Sequence, residues 1–157
     1  MRNEAVNVIN SVKETIEIAK ASNVRTVISH HKCAGRTNWG KSKETLKLIE
    51  KAKQQHYLDL DCYPYTASST MLLKDFVKRA DKVLVTWSDQ YPDISGQDLN
   101  DLALKFNCSI DETIDKLYPA GAIYFQMDDE DLNRILEFPG TMICLLYTSP
   151  SPRDEVL

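Results

Sequence analysis

The order of predicted elements between residues 23 and 64 constrains the fold more than any other feature of this sequence. A run of β-branched residues, VRTVIS at 24–29, has the length and composition of a short buried strand. A polar loop and an amphipathic segment that Ser42 can cap lead to a second predicted strand, HYLDLDCYP, which Pro64 ends. This order predicts a βαβ unit with two parallel strands and a right-handed crossover. Because parallel sheets need helices on their faces, we expect an α/β fold, either a barrel or a doubly wound sheet.

The rest of the chain is predicted to be mostly helical. Apolar residues recur at helical spacing over 4–22, and KVLVTW at 82–87 is predicted to be a third strand. Short helices are predicted over 97–106, 109–117 and 128–136; the second opens with a capping box formed by Ser109 and Glu112. We interpret about 72–138 as an inserted small helical region, after which GTMI returns the chain to a strand.

Composition narrows the class of protein. The net charge is −4 and neither sign forms a block, so a nucleic-acid partner is not expected. No apolar run is long enough for a membrane span, and the first residues do not resemble a signal peptide, so we expect a cytoplasmic protein with no membrane partner. The four cysteines are far apart and are expected to be free thiols.

The stretch VISHHKCAG places polar groups where the first predicted strand ends. Catalytic groups and ligands collect at the carboxyl ends of parallel strands, so His30 is a candidate metal ligand; the alternative is a hydrogen-bonded histidine at the edge of the core. His31 should point to the opposite face, and nothing near Cys33 suggests an activated nucleophile. Tyr63 and Tyr65 follow the second strand and should emerge at the same end, either for ligand contact or for packing.

Several longer motifs resemble one enzyme family. The run VISHHKCAGRTNWGKSKETLKLIEKAKQQ, followed by LDLDCYPYTASST, resembles the N-acyl-D-amino-acid deacylases, or D-aminoacylases, of the amidohydrolase superfamily. MRNEA, VLVTWSD, AIYFQMDDEDLNRIL and PGTMI are similar to other segments of that family, in the same order. The resemblance covers residues 1–143 and implies a partial TIM-like (β/α)8 barrel, about strands six to eight.

The resemblance also implies a site and a reaction. His30 matches a zinc ligand of the family, and Lys32, Tyr63 and Ser69 match positions associated with substrate binding. The implied cofactor is zinc, the implied partner is a small-molecule N-acyl-D-amino acid, and the implied reaction is hydrolysis of its amide bond. In this chemistry zinc polarises the scissile carbonyl and activates a water, while an aspartate moves the proton to the leaving amine.

The chain departs from the family pattern at both ends. A zinc-ligating histidine of the family precedes the motif that begins here at Met1, and further ligands lie upstream of it. The family's catalytic aspartate belongs to a G-S-D-G motif that should follow Ile143, so no catalytic residue is assigned in this chain. Since a catalytic zinc usually has three protein ligands, we expect the 157-residue chain to bind zinc weakly and to be inactive.

The last residues are predicted to be foreign to the protein. Residues 144–154, CLLYTSPSPRD, resemble a transposase-type sequencing adapter translated in frame. We therefore expect a partial amidohydrolase barrel over 1–143, an adapter-derived tail over 144–157, and a chain that is an internal fragment of a longer gene product.

Two other functions stay open at the level of the sequence. The same barrel could act on cyclic amides, as the related dihydroorotases and hydantoinases do. Alternatively, the chain could be a non-catalytic α/β module in which His30 is a core histidine.

Overall fold

Residues 1–145 are described by a computed structural model, and they have a mixed α/β fold. The helices and strands are, in chain order, α1 (Val8–Ser22), β1 (Thr26–Ile28), α2 (Ser42–Lys53), β2 (Leu58–Cys62), β3 (Ala67–Met71), α3 (Lys74–Val77), β4 (Lys82–Ser88), α4 (Leu99–Phe106), α5 (Ile110–Leu117), β5 (Ala120–Phe125), α6 (Asp129–Leu136) and β6 (Thr141–Ile143). They form two compact units. The first contains residues 1–33, 40–64 and the described residues from Glu130 onwards, and the second contains 34–39 and 65–129.

The first unit contains the predicted βαβ arrangement. Its sheet has the order β1-β2-β6, and both pairings are parallel. Leu58 and Leu60 on β2 alternate with polar residues and are buried against one face of the sheet. The apolar stripes of α1 and α2 supply much of this core, including Val12, Ile16 and Ile49, and Ile28 of β1 and Ile135 of α6 complete it. The central position of β2 places the ends of three parallel strands next to one another.

Helix α1 begins at Val8, four residues later than the apolar spacing predicts. Asn3 is the reason, since its side-chain oxygen accepts hydrogen bonds from the backbone N–H groups of Ala5 (2.9 Å) and Asn7 (3.1 Å). Such a local side-chain turn competes with the first turn of a helix. The residues before α1 therefore form a turn and leave the side chain of Glu4 outside the helix.

The second unit is built on an antiparallel sheet with the order β3-β5-β4. Its core combines β4 and β5 with α4 and α5, through residues such as Val85, Leu102, Leu117 and Tyr124. The predicted strand KVLVTW and the helices α4 and α5 are all present. Strands β3 and β5 were not predicted, so this part of the chain is less helical than the sequence suggests.

A close backbone approach marks the pairing of β4 with β5. The register shifts between Val85 and Trp87, and Gly121 lies opposite Trp87. A β-carbon at Gly121 would lie 2.2 Å from Trp87 Nε1, so no larger residue fits there without movement.

No helix in the part of the chain that the structure describes has the length and apolar content needed to cross a bilayer. Residues 146–157 lie outside the described residues, and with them most of the predicted adapter-derived tail.

Candidate metal and ligand site

The carboxyl ends of the three parallel strands in the first unit bring a group of polar side chains together. His30 follows β1, Asp61 is the second-last residue of β2, and Cys144 follows β6. The ladder continues one residue beyond the strands, because His31 N donates to Asp61 O (2.8 Å) and Cys144 N donates to Cys62 O (2.9 Å). The geometry of the sheet therefore fixes the backbone of all three polar residues.

His30 has an unusual backbone conformation. Its φ is +54°, in the left-handed region that residues other than glycine rarely adopt. Its N–H donates to the carboxylate of Asp61 at 2.6 Å, which holds the chain in this turn. The half-buried imidazole has its Nε2 3.4 Å from the Sγ of Cys144. Strained backbone of this kind is concentrated at functional sites.

His30, Asp61 and Cys144 could together hold a metal ion. Each offers one ligand atom, and these three atoms all lie within 4.8 Å of one another. Imidazole nitrogen, carboxylate oxygen and thiolate sulfur are the ligand types that Zn²⁺ accepts, most often in a tetrahedral arrangement. The donor set in the first unit thus fits zinc.

Asp61 was not predicted to belong to the site. The alternation in LDLDC contained a signal for it, because Leu58, Leu60 and Cys62 are buried on one face of β2 and Asp61 must point to the other. A carboxylate at the carboxyl end of a parallel strand is a candidate ligand on the same argument that selected His30.

Lys32 and Tyr63 lie beside His30. The ammonium of Lys32 pairs with the carboxylate of Glu4 at 2.8 Å, donates to the carbonyl of His30 at 2.8 Å, and lies 5.3 Å from the centre of the Tyr63 ring. The Tyr63 ring meets the His30 imidazole edge-on, with 5.4 Å between centroids. Burial raises the pKa of Tyr63, so its phenol remains a protonated donor. This hydroxyl is buried and has no hydrogen-bond partner among the described residues.

Ser69 lies in the second unit and not in the first. It is an exposed residue of β3, and its backbone is opposite Ile123 of β5. The first unit thus brings together three of the four predicted site residues, His30, Lys32 and Tyr63.

His31 and Cys33 are buried in the first unit and take no part in this cluster. His31 Nε2 is 2.9 Å from Thr45 Oγ1, and desolvation lowers the pKa of its imidazole to about 4, with a smaller contribution from the charge of Lys32. Burial raises the pKa of the Cys33 thiol to about 12, and the nearby carboxylate of Asp131 acts in the same direction. At neutral pH both side chains are therefore uncharged.

Comparison with characterised proteins identifies close relatives. No protein-family model matches the chain. D-aminoacylase of Alcaligenes xylosoxydans xylosoxydans is 45% identical over 155 residues, which cover 99% of this chain and 31% of that protein. N-acyl-D-aspartate deacylase of the same organism is 41% identical over 143 residues, which cover 91% of this chain and 29% of that protein. The chain thus spans about a third of the length of these relatives. The alignment with D-aminoacylase extends beyond residue 143, whereas the alignment with N-acyl-D-aspartate deacylase is 143 residues long. The two alignments therefore do not decide where the homologous part ends, and the foreign origin of 144–157 stays a prediction.

Solved structures give the same result. A D-aminoacylase structure that concerns the functional role of its binuclear metal centre matches with a TM-score of 0.84 and 47% identity, over 91% of this chain and 30% of that one. The N-acyl-D-glutamate deacylase of Bordetella bronchiseptica, complexed with zinc and a phosphonate inhibitor, matches with a TM-score of 0.87 and 40% identity, over 91% and 30%. The resemblance predicted from the sequence motifs is therefore confirmed, and the chain is homologous to D-aminoacylase and the N-acyl-D-amino-acid deacylases.

Proposed function

We propose that this chain corresponds to about a third of a zinc-dependent hydrolase that removes the N-acyl group from N-acyl-D-amino acids. The observation that carries the proposal is the cluster at the carboxyl ends of β1 and β2, where His30, Lys32 and Tyr63, the residues that the family resemblance implies, lie beside one another. In this proposal the three parallel strands are neighbours in a (β/α)8 barrel, whose catalytic groups gather at that end.

His30 is the proposed zinc ligand of the chain. Its backbone is held by Asp61 and its imidazole nitrogen lies within 4.8 Å of the two other possible ligand atoms. A bound zinc would polarise the scissile carbonyl and make a water molecule nucleophilic near neutral pH. The assignment depends on His30 and not on Cys144, since Cys144 belongs to the segment that resembles adapter sequence.

Lys32 and Tyr63 are the proposed substrate-binding groups next to the metal. An N-acyl-D-amino acid carries a carboxylate, and the Lys32 ammonium supplies a positive charge that can bind it. This ammonium is held next to His30 by its hydrogen bond to the His30 carbonyl. Tyr63 offers a buried hydroxyl whose hydrogen can be donated to a substrate oxygen. Ser69 enters the proposal through the family resemblance alone.

The proposal is tested by assaying the full-length gene product on N-acetyl-D-amino acids, on the L enantiomers and on hydantoins. We expect hydrolysis of the D compounds only, lost on chelation and restored by zinc. His30→Asn should abolish the activity, whereas His56→Asn, which alters a histidine before β2 at the other end of the sheet, should retain it. Hydrolysis of hydantoins alone would instead favour the cyclic-amide function, and hydrolysis of neither class would contradict the proposal.

A further inference from the structure

Glu4 and Lys32 form an ion pair that is more buried than its neighbour on the same stretch of chain. The Lys32 and Glu4 side chains are 11% and 30% exposed, with 2.8 Å between Nζ and Oε1. Arg2 and Glu14 form a pair of the same length nearby, but their side chains are 78% and 41% exposed. Exposed pairs contribute little to stability, whereas a partly buried pair restricts its lysine more strongly. The sequence motif MRNEA contains Glu4, but no role in the site was predicted for it.

Among the described residues, the Lys32 ammonium makes one hydrogen bond and one ion pair. An ammonium group has three N–H donors and no acceptor. One donates to the carbonyl of His30 at 2.8 Å, and the carboxylate of Glu4 lies 2.8 Å from Nζ as an ion pair. Within residues 1–145 Nζ has no other hydrogen-bond acceptor, so the ammonium still has a donor available to a ligand. The Tyr63 ring lies 5.3 Å from Nζ and its hydroxyl also has no partner in this part of the chain.

We propose that Glu4 is a positioning residue, which holds the Lys32 ammonium beside His30 with one N–H free for the carboxylate of the substrate. This inference deepens the proposed function and rests on it. A lysine side chain has many rotamers, and a ligand that had to order it would lose affinity. Because Glu4 and the His30 carbonyl order the ammonium in advance, the substrate's carboxylate meets a fixed donor. Glu4 itself needs no contact with the substrate.

The kinetic test uses the full-length enzyme and an N-acetyl-D-amino acid. Glu4→Gln keeps the size of the side chain but removes its charge, so we expect KM to rise about tenfold while kcat changes by less than about twofold. Glu4→Asp retains the charge and should restore part of the affinity. Glu14→Gln, which removes the carboxylate of the exposed pair, is the matched control and should leave both constants unchanged. A substrate analogue without the carboxylate should have the same kcat/KM in the parent and in Glu4→Gln.

A second test measures the contact without measuring activity. In the 157-residue chain, Lys32 should be methylated by formaldehyde and a reductant more slowly than Lys47, and Glu4→Gln should accelerate the Lys32 reaction about tenfold while Lys47 is unchanged. Mass spectrometry of peptides gives both rates. An unchanged Lys32 rate would overturn the inference, as would an unchanged KM in an active enzyme. A parent enzyme that hydrolyses no N-acyl-D-amino acid would instead overturn the proposed function, so the two failures are distinguishable.

Discussion

At the scale of single residues, Asp131 shows how the first unit holds the loop that leads into α2. This residue is 1% exposed, and its carboxylate accepts hydrogen bonds from Gly40 N (2.6 Å) and from the hydroxyl and backbone N–H of Ser42. Arg134 donates to the same carboxylate at 2.9 Å and also to the Ser42 hydroxyl at 2.6 Å. One buried acid thus links the beginning of α2 to α6.

Removing the charge of Asp131 should destabilise the chain strongly. We expect Asp131→Asn to lower the free energy of unfolding by about 3 kcal/mol, because Arg134 then loses its buried counter-charge. Urea denaturation followed by circular dichroism measures the change. Glu137→Gln alters an exposed acid just after the same helix and should change stability by less than about 0.5 kcal/mol. Equal effects of the two substitutions would contradict this role of Asp131.

The buried environment of Cys33 should make its thiol slow to react with alkylating reagents. The thiol is 1% exposed and burial raises its pKa to about 12, so almost none of it is thiolate at pH 8. We expect iodoacetamide to modify Cys108, which is partly exposed, well before Cys33 in the folded chain. In urea the two rates should become similar. Rapid labelling of Cys33 without denaturant, measured by peptide mass spectrometry, would show that the loop after β1 opens.

The site itself was only partly predictable at this scale. His30 could be chosen because a histidine directly after a β-branched run stands where parallel strands end. Asp61 was missed, because an aspartate in a strand is usually a solvated residue on the exposed face and only the pairing of β1 with β2 places it against the His30 N–H. Glu4 was missed because the helical spacing placed it in α1. The contact of Glu4 with Lys32 joins residues 28 positions apart, so the periodicity of neighbouring residues cannot predict it.

At the scale of elements, the capping box of α5 is a feature that the sequence predicts and the structure contains. Ser109 Oγ accepts from Glu112 N, and the Glu112 carboxylate accepts from Ser109 N at 2.9 Å. Hydrogen bonds from the Ser109 side chain and backbone lower the pKa of Glu112. This motif depends only on residues three positions apart, so it can be recognised without knowledge of the tertiary fold.

The capping box should give the second unit a measurable dependence on pH. Because the pKa of Glu112 is lowered on folding, its contribution to stability is complete above the unfolded pKa and is lost as the pH falls through the folded pKa. Ser109→Ala should lower the free energy of unfolding by about 1 kcal/mol at pH 7. Glu112→Gln should make the loss of stability below about pH 5 less steep. Thermal unfolding at several pH values tests this, and parallel profiles for the parent and Glu112→Gln would contradict it.

Strands β3 and β5 could not be predicted, for two different physical reasons. The sequence of β3, ASSTM, is polar and mostly exposed, so it has no apolar alternation. Strand β5, AGAIYF, is the central strand of its sheet and has buried residues on both faces. Its apolar and polar residues therefore do not alternate either. Period-two patterns identify strands with one buried face, as in β2, and neither of these strands has that environment.

At the scale of the whole molecule, the sheet of the first unit is open at both sides. Within the described residues β1 and β6 each pair with β2 alone, and Val27, Met142 and Ile143 are 49%, 45% and 57% exposed. Unpaired strand edges with apolar side chains favour association with other chains.

The isolated chain should therefore self-associate. We expect light scattering coupled to size-exclusion chromatography to show a mass above that of a monomer at micromolar concentration. Val27→Lys places a charge on the β1 edge and should shift the distribution towards the monomer. Val6→Lys, which alters another exposed valine before α1, is the control and should have a smaller effect. A monodisperse monomer for the parent chain would contradict this prediction.

The division of the first unit into three stretches of chain also affects the order in which it can be completed during synthesis. Strand β6 leaves the ribosome only after the whole of 65–129 has been made. Until then β2 can pair only with β1, whereas all strands of the antiparallel sheet in the second unit have already been translated. Domains generally fold as units while the chain grows. The second unit can therefore acquire its own core first, and the ends of β1, β2 and β6 that carry the candidate site come together last.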